Sequence, residues 1–277
     1  MRSLVIIAVA VVSAAVVVEG QAPVTAPRPA FEVASVRLNT SGSGTMSSGT
    51  QPGGRFNATN MPLTQLIQNA YRMDDFQIIG GPPWLSDRYD VIAKAESDFP
   101  PTVPGTIGAL PLMLQSLLAE RFALAAHRET REMDIYVLVL ARADGRLGPR
   151  LRPSAIDCEA LSRTHTKPPP PAAPTPDMRS IEPCTMRAGG GNLVAGAAKV
   201  DLLIGNLSAA TRRVVENRTG LAGAFDIDLS WAPEGSNDTT RPSIFTALQE
   251  QLGLKLESAR APVEVLVIDT ISRPSPD

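Results

Sequence analysis

Residues 63–95, LTQLIQNAYRMDDFQIIGGPPWLSDRYDVIAKA, hold one helix and two strands in a single phrase. Leu63, Leu66, Ile67, Ala70 and Tyr71 follow the i, i+3, i+4, i+7, i+8 spacing that gathers apolar side chains on one helical face. Pro62 suits the first turn of that helix, and Asn60 suits its N-cap. A short apolar strand follows from Phe76 to Ile79, and Gly80-Gly81-Pro82-Pro83 breaks it. Tyr89, Val91, Ala93 and Ala95 then alternate along a second strand with one buried face.

The phrase returns downstream. Leu110, Met113, Leu114, Leu117 and Leu118 form a second helical stripe, and Phe122, Leu124 and Ala126 alternate on a strand. A charged turn is expected at Arg128 to Glu132. Ile135 to Ala141 is an unbroken apolar run, as in a strand buried on both faces. Val200, Leu203, Ile204 and Leu207 mark a third helix, which Gly205 weakens by about 1 kcal/mol. Val214-Val215 is a short strand, Asn217 to Gly220 a turn, and Phe225, Ile227, Leu229 and Trp231 alternate on the return. Ser243 caps a fourth helix carrying Ile244, Ala247, Leu248 and Leu252, followed by strands at Leu254 to Ser258 and Val263 to Ile271. Tyr89-Asp90-Val91 matches Phe225-Asp226-Ile227 in register.

The expected fold is therefore α+β: two similar lobes built from repeated αββ units, with mostly antiparallel sheets and helices on one face. The N-terminal lobe spans residues 31–149 and the C-terminal lobe residues 184–273, joined by a Pro-rich linker at 150–183. Element order leaves open whether the lobes share one sheet. Residues 39–54, rich in Gly, Ser and Thr, and residues 96–107, rich in Pro, read as flexible connections.

The N-terminus reads as a signal peptide over residues 1–20. Arg2 precedes an apolar run from Leu4 to Val18, which is too short for the ~20 residues of a membrane span. Residues 21–30 form a flexible tail. The expected location is secreted or periplasmic, with no stable membrane span after cleavage; an uncleaved N-terminal anchor is the alternative. An exported chain can hold disulfides, and Cys158 and Cys184 allow one pairing, across the Pro-rich segment.

Composition excludes more than it proposes. The chain has 277 residues, 43% hydrophobic and 19% charged, which is globular rather than disordered. A net charge of −2 removes a dominant attraction to nucleic acid, and 4% aromatics argue against stacking platforms for bases or sugars.

Five ordered phrases carry a family resemblance: Phe31-Glu32-Val33-Ala34-Ser35-Val36, Gly80-Gly81-Pro82-Pro83-Trp84-Leu85, Leu117 to Phe122, His127-Arg128-Glu129-Thr130, and Asn217 to Asp226. Together they resemble the uncharacterised "soil-associated protein" family of exported bacterial proteins, over about residues 30–272. The resemblance implies secretion. Related domains occur fused to membrane metallopeptidases of the beta-lactam-sensor type, which implies an extracytoplasmic sensing or binding role. The order of the αββ units is also similar to the small N-terminal modules of secretins and TonB-dependent receptors.

No nucleophile elbow, phosphate loop, dinucleotide fingerprint or paired-cysteine motif is present. His127, with Glu129 two residues on, is the candidate acid–base pair, because imidazole titrates near neutrality. Asp90 and Asp226, at equivalent repeat positions, are candidates to bind a cation or ligand; their structural alternative is the polar face of half-buried strands, continued by Asp228. Trp84, after the Gly-Gly-Pro-Pro turn, is a candidate ligand-facing aromatic or a plug on the core. No cofactor and no metal is expected. The partner is expected to be an envelope protein or a small ligand. The reading that follows is a non-catalytic extracytoplasmic binding or interaction module, with a hydrolase using His127 and a nearby carboxylate as the alternative.

Overall fold

A computed structural model describes residues 28–100 and 107–274. The expected signal peptide and residues 21–27 of the tail lie outside the described residues, as do residues 101–106 of the Pro-rich connection at 96–107. The chain forms β1 (Val33–Leu38), β2 (Ser47–Gln51), β3 (Arg55–Pro62), α1 (Leu63–Tyr71), β4 (Ile78–Ile79), β5 (Arg88–Lys94), α2 (Ala109–Phe122) and β6 (Ala125–Leu140). It continues with β7 (Leu151–Ser154), α3 (Cys158–Arg163), β8 (Met186–Gly189), β9 (Asn192–Ala198), α4 (Val200–Thr211), β10 (Val215–Asn217), β11 (Ala224–Ser230), α5 (Ile244–Ala247) and β12 (Leu254–Thr270).

The strands build three mostly antiparallel sheets, in the orders β1-β5-β3-β2, β10-β6-β12-β4 and β7-β11-β9-β8. The middle sheet is organised by β6 and β12, which pair antiparallel from Leu254 opposite Leu140 to Thr270 opposite Ala125. Two short strands flank this ribbon in parallel. Ile78 of β4 lies opposite Leu266 of β12, and Val215 of β10 lies opposite Tyr136 of β6. Strands from both ends of the chain thus share one sheet, which the element order had left open.

One core joins Phe56, Tyr89 and Val91 of the first sheet, Leu63, Leu66, Ile67 and Ala70 of α1, Leu114, Leu117, Leu118 and Phe122 of α2, and Leu266 and Ile268 of β12. A second joins Leu193, Phe225, Ile227 and Leu229 of the third sheet, Val200, Leu203 and Leu207 of α4, Ile244 and Ala247 of α5, and Leu138 and Leu254 at the other end of the ribbon. Ile135, Val137, Val263 and Val265 form a smaller cluster on the opposite ribbon face. The period-2 stripe Tyr89, Val91, Ala93, Ala95 is buried throughout, as its alternation requires.

Four local expectations are corrected. Arg128 to Glu132 is not a turn but the middle of β6, because its charges are answered within the ribbon: Arg128 pairs with Glu264, Arg131 with Glu129, and Asp134 with Arg260. The last two expected strands are likewise one strand, β12. Asn60 does not cap α1; it sits at φ 54° inside β3, and Pro62 takes the cap position. Residues 47–51 of the Gly/Ser/Thr-rich stretch are a paired strand, β2.

The Pro-rich segment is also more ordered than a linker. Leu151–Ser154 pairs with β11 at the edge of the third sheet, where Pro153 is tolerated because an edge strand need not donate on both sides. Met178 and Ile181 are buried, and Arg152 donates to the Thr175 hydroxyl at 2.6 Å.

Candidate functional site

His127 lies on β6, two strand pairings from the end of the ribbon. Its Nδ1 is 2.9 Å from Asp269 Oδ1 on β12, and its Nε2 is 3.7 Å from Glu129 Oε2 on its own strand. The hydrogen bond with Asp269 raises the imidazole pKa above its ordinary value, with help from the charges of Asp269 and Glu129. Glu129 is itself engaged by Arg131. The His127 side chain is 52% exposed, so the pair sits in water rather than in a dry, shaped site. Asp269 is the member of this group that the sequence reading did not find: it is 142 residues away and arrives through the β6–β12 register.

Asp90 and Asp226 do the same structural job in two sheets. In the β3–β5 ladder the register shifts between Ala58 and Met61, so Thr59 and Asn60 bulge opposite Asp90. In the β9–β11 ladder it shifts between Phe225 and Ile227, so Gly196 and Ala197 bulge opposite Asp226. Asn60 and Ala197 hold the left-handed conformation, at φ 54° and 52°. A bulge turns a backbone N–H away from the ladder. Asp90 Oδ1 accepts the Asn60 N–H at 2.8 Å, and Asp226 Oδ1 accepts the Ala197 N–H at 2.9 Å. Asp90 also accepts from the Asn39 side-chain amide at 2.8 and 3.0 Å. The two carboxylates stay in separate sheets and each satisfies its own bulge.

Trp84 packs against the first core, and Arg273 lies over its ring at 5.2 Å from the centroid while donating to Asp87. Asp228, expected on a polar strand face, is instead buried, with 1% of its surface exposed. Burial pushes its carboxyl pKa up, but hydrogen bonds from the Arg179 guanidinium and backbone N–H outweigh this, so the net shift is downward. Cys158 and Cys184 are bonded, with Cα atoms 5.5 Å apart, and they close the loop that contains α3 and the proline run.

A cavity of about 740 Å³ lies elsewhere. It is a groove between β2 and the helix pair of the first core. Phe56, Met73 and Leu114 floor it, Ser48, Gly49 and Thr50 of β2 form one rim, and Gln65, Gln68, Asn69 and Arg72 form the facing wall. Gln65, Gln68 and Asn69 recur at i, i+3 and i+4, so they line the polar face of α1, opposite the buried stripe, and Arg72 is the left-handed C-cap of that helix. The same spacing was visible in the sequence, but a polar helical face reads there as a solvated one. A second cavity of about 380 Å³ holds Trp231, Tyr136 and Phe245, with Arg213 stacked 5.0 Å from the Tyr136 centroid.

Among the described residues, no group of three or more His, Cys, Asp or Glu is placed to hold a metal ion, and no helix is long and apolar enough to cross a membrane. A family model described as "Protein of unknown function (DUF3738)" matches residues 64–271. No curated protein and no solved structure matches the chain.

Proposed function

Since the chain belongs to the DUF3738 family, described only as a protein of unknown function, we propose from its geometry that it is a non-catalytic extracytoplasmic binding or interaction module. The observation that carries this reading is the contrast between two places. The one imidazole with carboxylate partners stands in open solvent, whereas a groove of about 740 Å³ is walled largely by amides and hydroxyls that bind without reacting. A general base needs its partners ordered around a substrate, and water beside His127 screens Asp269 and Glu129.

Duplication supports the same reading. The outer sheets run β1-β5-β3-β2 and β7-β11-β9-β8, an order that matches strand for strand. Asp90 and Asp226 fill equivalent bulges. We read the chain as two αββ-repeat halves, a scaffold enlarged by duplication. The Cys158–Cys184 bond supports export, since such bonds persist in oxidising compartments.

The hydrolase alternative rests on the 2.9 Å contact between His127 and Asp269. Passing a bacterial envelope extract over the immobilised full chain separates the readings. The module reading expects saturable retention of a component, undiminished in His127→Ala. Failure to retain any component across salt and pH conditions counts against it.

A further inference from the structure

We infer that the β2 edge and the groove beside it form a docking site for an extended, uncharged segment of another polypeptide, added to the first sheet as a further strand. The inference rests on the binding-module reading and names its partner class.

The argument begins with what sheet edges ordinarily carry. An exposed edge presents unpaired N–H and C=O groups, and proteins blunt such edges with charge, proline or brevity. Every other edge here is blunted. β1 carries Arg37, and its Ala34 carbonyl accepts from Arg121. β7 carries Arg152 and Pro153, β8 carries Arg187, β10 carries Glu216, and β4 is two residues long. β2 reads Ser47-Ser48-Gly49-Thr50-Gln51, with no charge and no proline, and all five residues are exposed. It pairs with β3 on one side and ends the sheet on the other.

The second observation is what faces that edge. A strand laid along β2 sends alternate side chains to the helix side of the sheet. That is where the groove lies, with an apolar floor and the Gln65, Gln68, Asn69 wall. Side-chain amides donate and accept, so the wall suits a backbone or polar side chains running in either direction. The charged groups among its lining residues, Arg72 and Asp74, have opposite signs and lie two residues apart after α1, so the groove favours a segment without net charge. β2 is about 17 Å long at ~3.4 Å per residue, which accommodates five or six residues of an added strand.

The test uses the full chain and a displayed library of random dodecapeptides. Retained peptides are expected to be rich in uncharged residues and to slow hydrogen exchange at the backbone of residues 47–51. Gly49→Lys is expected to weaken their binding at least tenfold, and an added Cβ there meets nothing within 4 Å. Gln68→Ala combined with Asn69→Ala is expected to do the same, with circular dichroism and thermal midpoint unchanged in both variants. Peptides that bind both variants as well as the original chain, with no protection of 47–51, overturn this site but leave the module reading standing. A glycan array signal that Gln68→Ala/Asn69→Ala removes and Gly49→Lys does not overturns the strand occupant. Self-association abolished by Gly49→Lys overturns it too, in favour of a second copy of the chain. Retention of neither peptide nor glycan overturns the inference and weighs against the module reading as well.

Discussion

Ala197 holds a left-handed conformation at φ 52°, which costs an L-residue with a Cβ roughly 1–2 kcal/mol, and Asp226 holds it there by accepting its N–H. The two effects oppose each other and can be measured separately. Ala197→Gly is expected to raise stability by about 1 kcal/mol, because glycine occupies that region freely. Asp226→Ala is expected to lower it by about 1–2 kcal/mol, the cost of an N–H left without its acceptor. Urea unfolding midpoints decide both. Neither bulge was legible in the sequence. A glycine would have announced a left-handed residue, but Gly196 precedes the turn and Asn60 reads equally well as a helix cap. The aspartates were visible as a matched pair, and their role was not, because it depends on a register shift in the neighbouring strand. His127 has its own prediction at this scale. Its pKa is raised by Asp269, so the pair's contribution is complete below pH 6.5, the ordinary histidine value, and is lost as pH rises through the higher folded value. The NMR titration midpoint of His127 is expected above 6.5, and Asp269→Asn is expected to bring it down. An identical midpoint in both proteins would show that Asp269 does not act on the ring.

The helices were legible as elements because a one-sided stripe has a period that strands cannot imitate. Leu63, Leu66, Ile67 and Ala70 are all buried, as their spacing demands. The long strands were not. Arg128 to Glu132 looks like a turn because charge clusters mark solvent, yet an exposed strand marks solvent equally. The useful signal was the absence of Gly, Pro and Asn anywhere from Ala125 to Leu140. The cysteine pair was legible by count, whereas β7 inside the Pro-rich stretch was hidden by its short length and by Pro153. The disulfide closes a loop of 26 residues in sequence separation, for which loss of chain entropy in the unfolded state stabilises by about 3 kcal/mol. Cys158→Ser together with Cys184→Ser is expected to lower unfolding stability by about that amount. Added reductant is then expected to have no further effect, and a midpoint that still shifts with reductant would contradict the assignment.

Across the whole molecule, the ribbon of β6 and β12 couples the two ends of the chain. Its even-numbered residues meet the first core at Leu266 and Ile268 and the second at Leu138 and Leu254. β4 and β10 each complete the sheet against the long strand of the other half. The two halves therefore cannot lose their sheets one at a time. Trp84 packs on the first core and Trp231 on the second, so Trp84→Phe and Trp231→Phe give single-fluorophore reporters of each. Coincident denaturation midpoints are expected, and two separated transitions would mean independent lobes. The α+β class and its mostly antiparallel strands could be read from sequence, whereas the shared ribbon depends on contacts more than a hundred residues apart. The same ribbon leaves the His127 side chain half exposed to water near its end. The central claim, binding without chemistry, is tested most directly by weighing what the protein captures. Material retained from an envelope extract by the original chain and by His127→Ala is eluted and compared by mass spectrometry. The account predicts the same component from both, in equal amount and with unchanged mass; a shortened product from the original chain, held intact by His127→Ala, would contradict it.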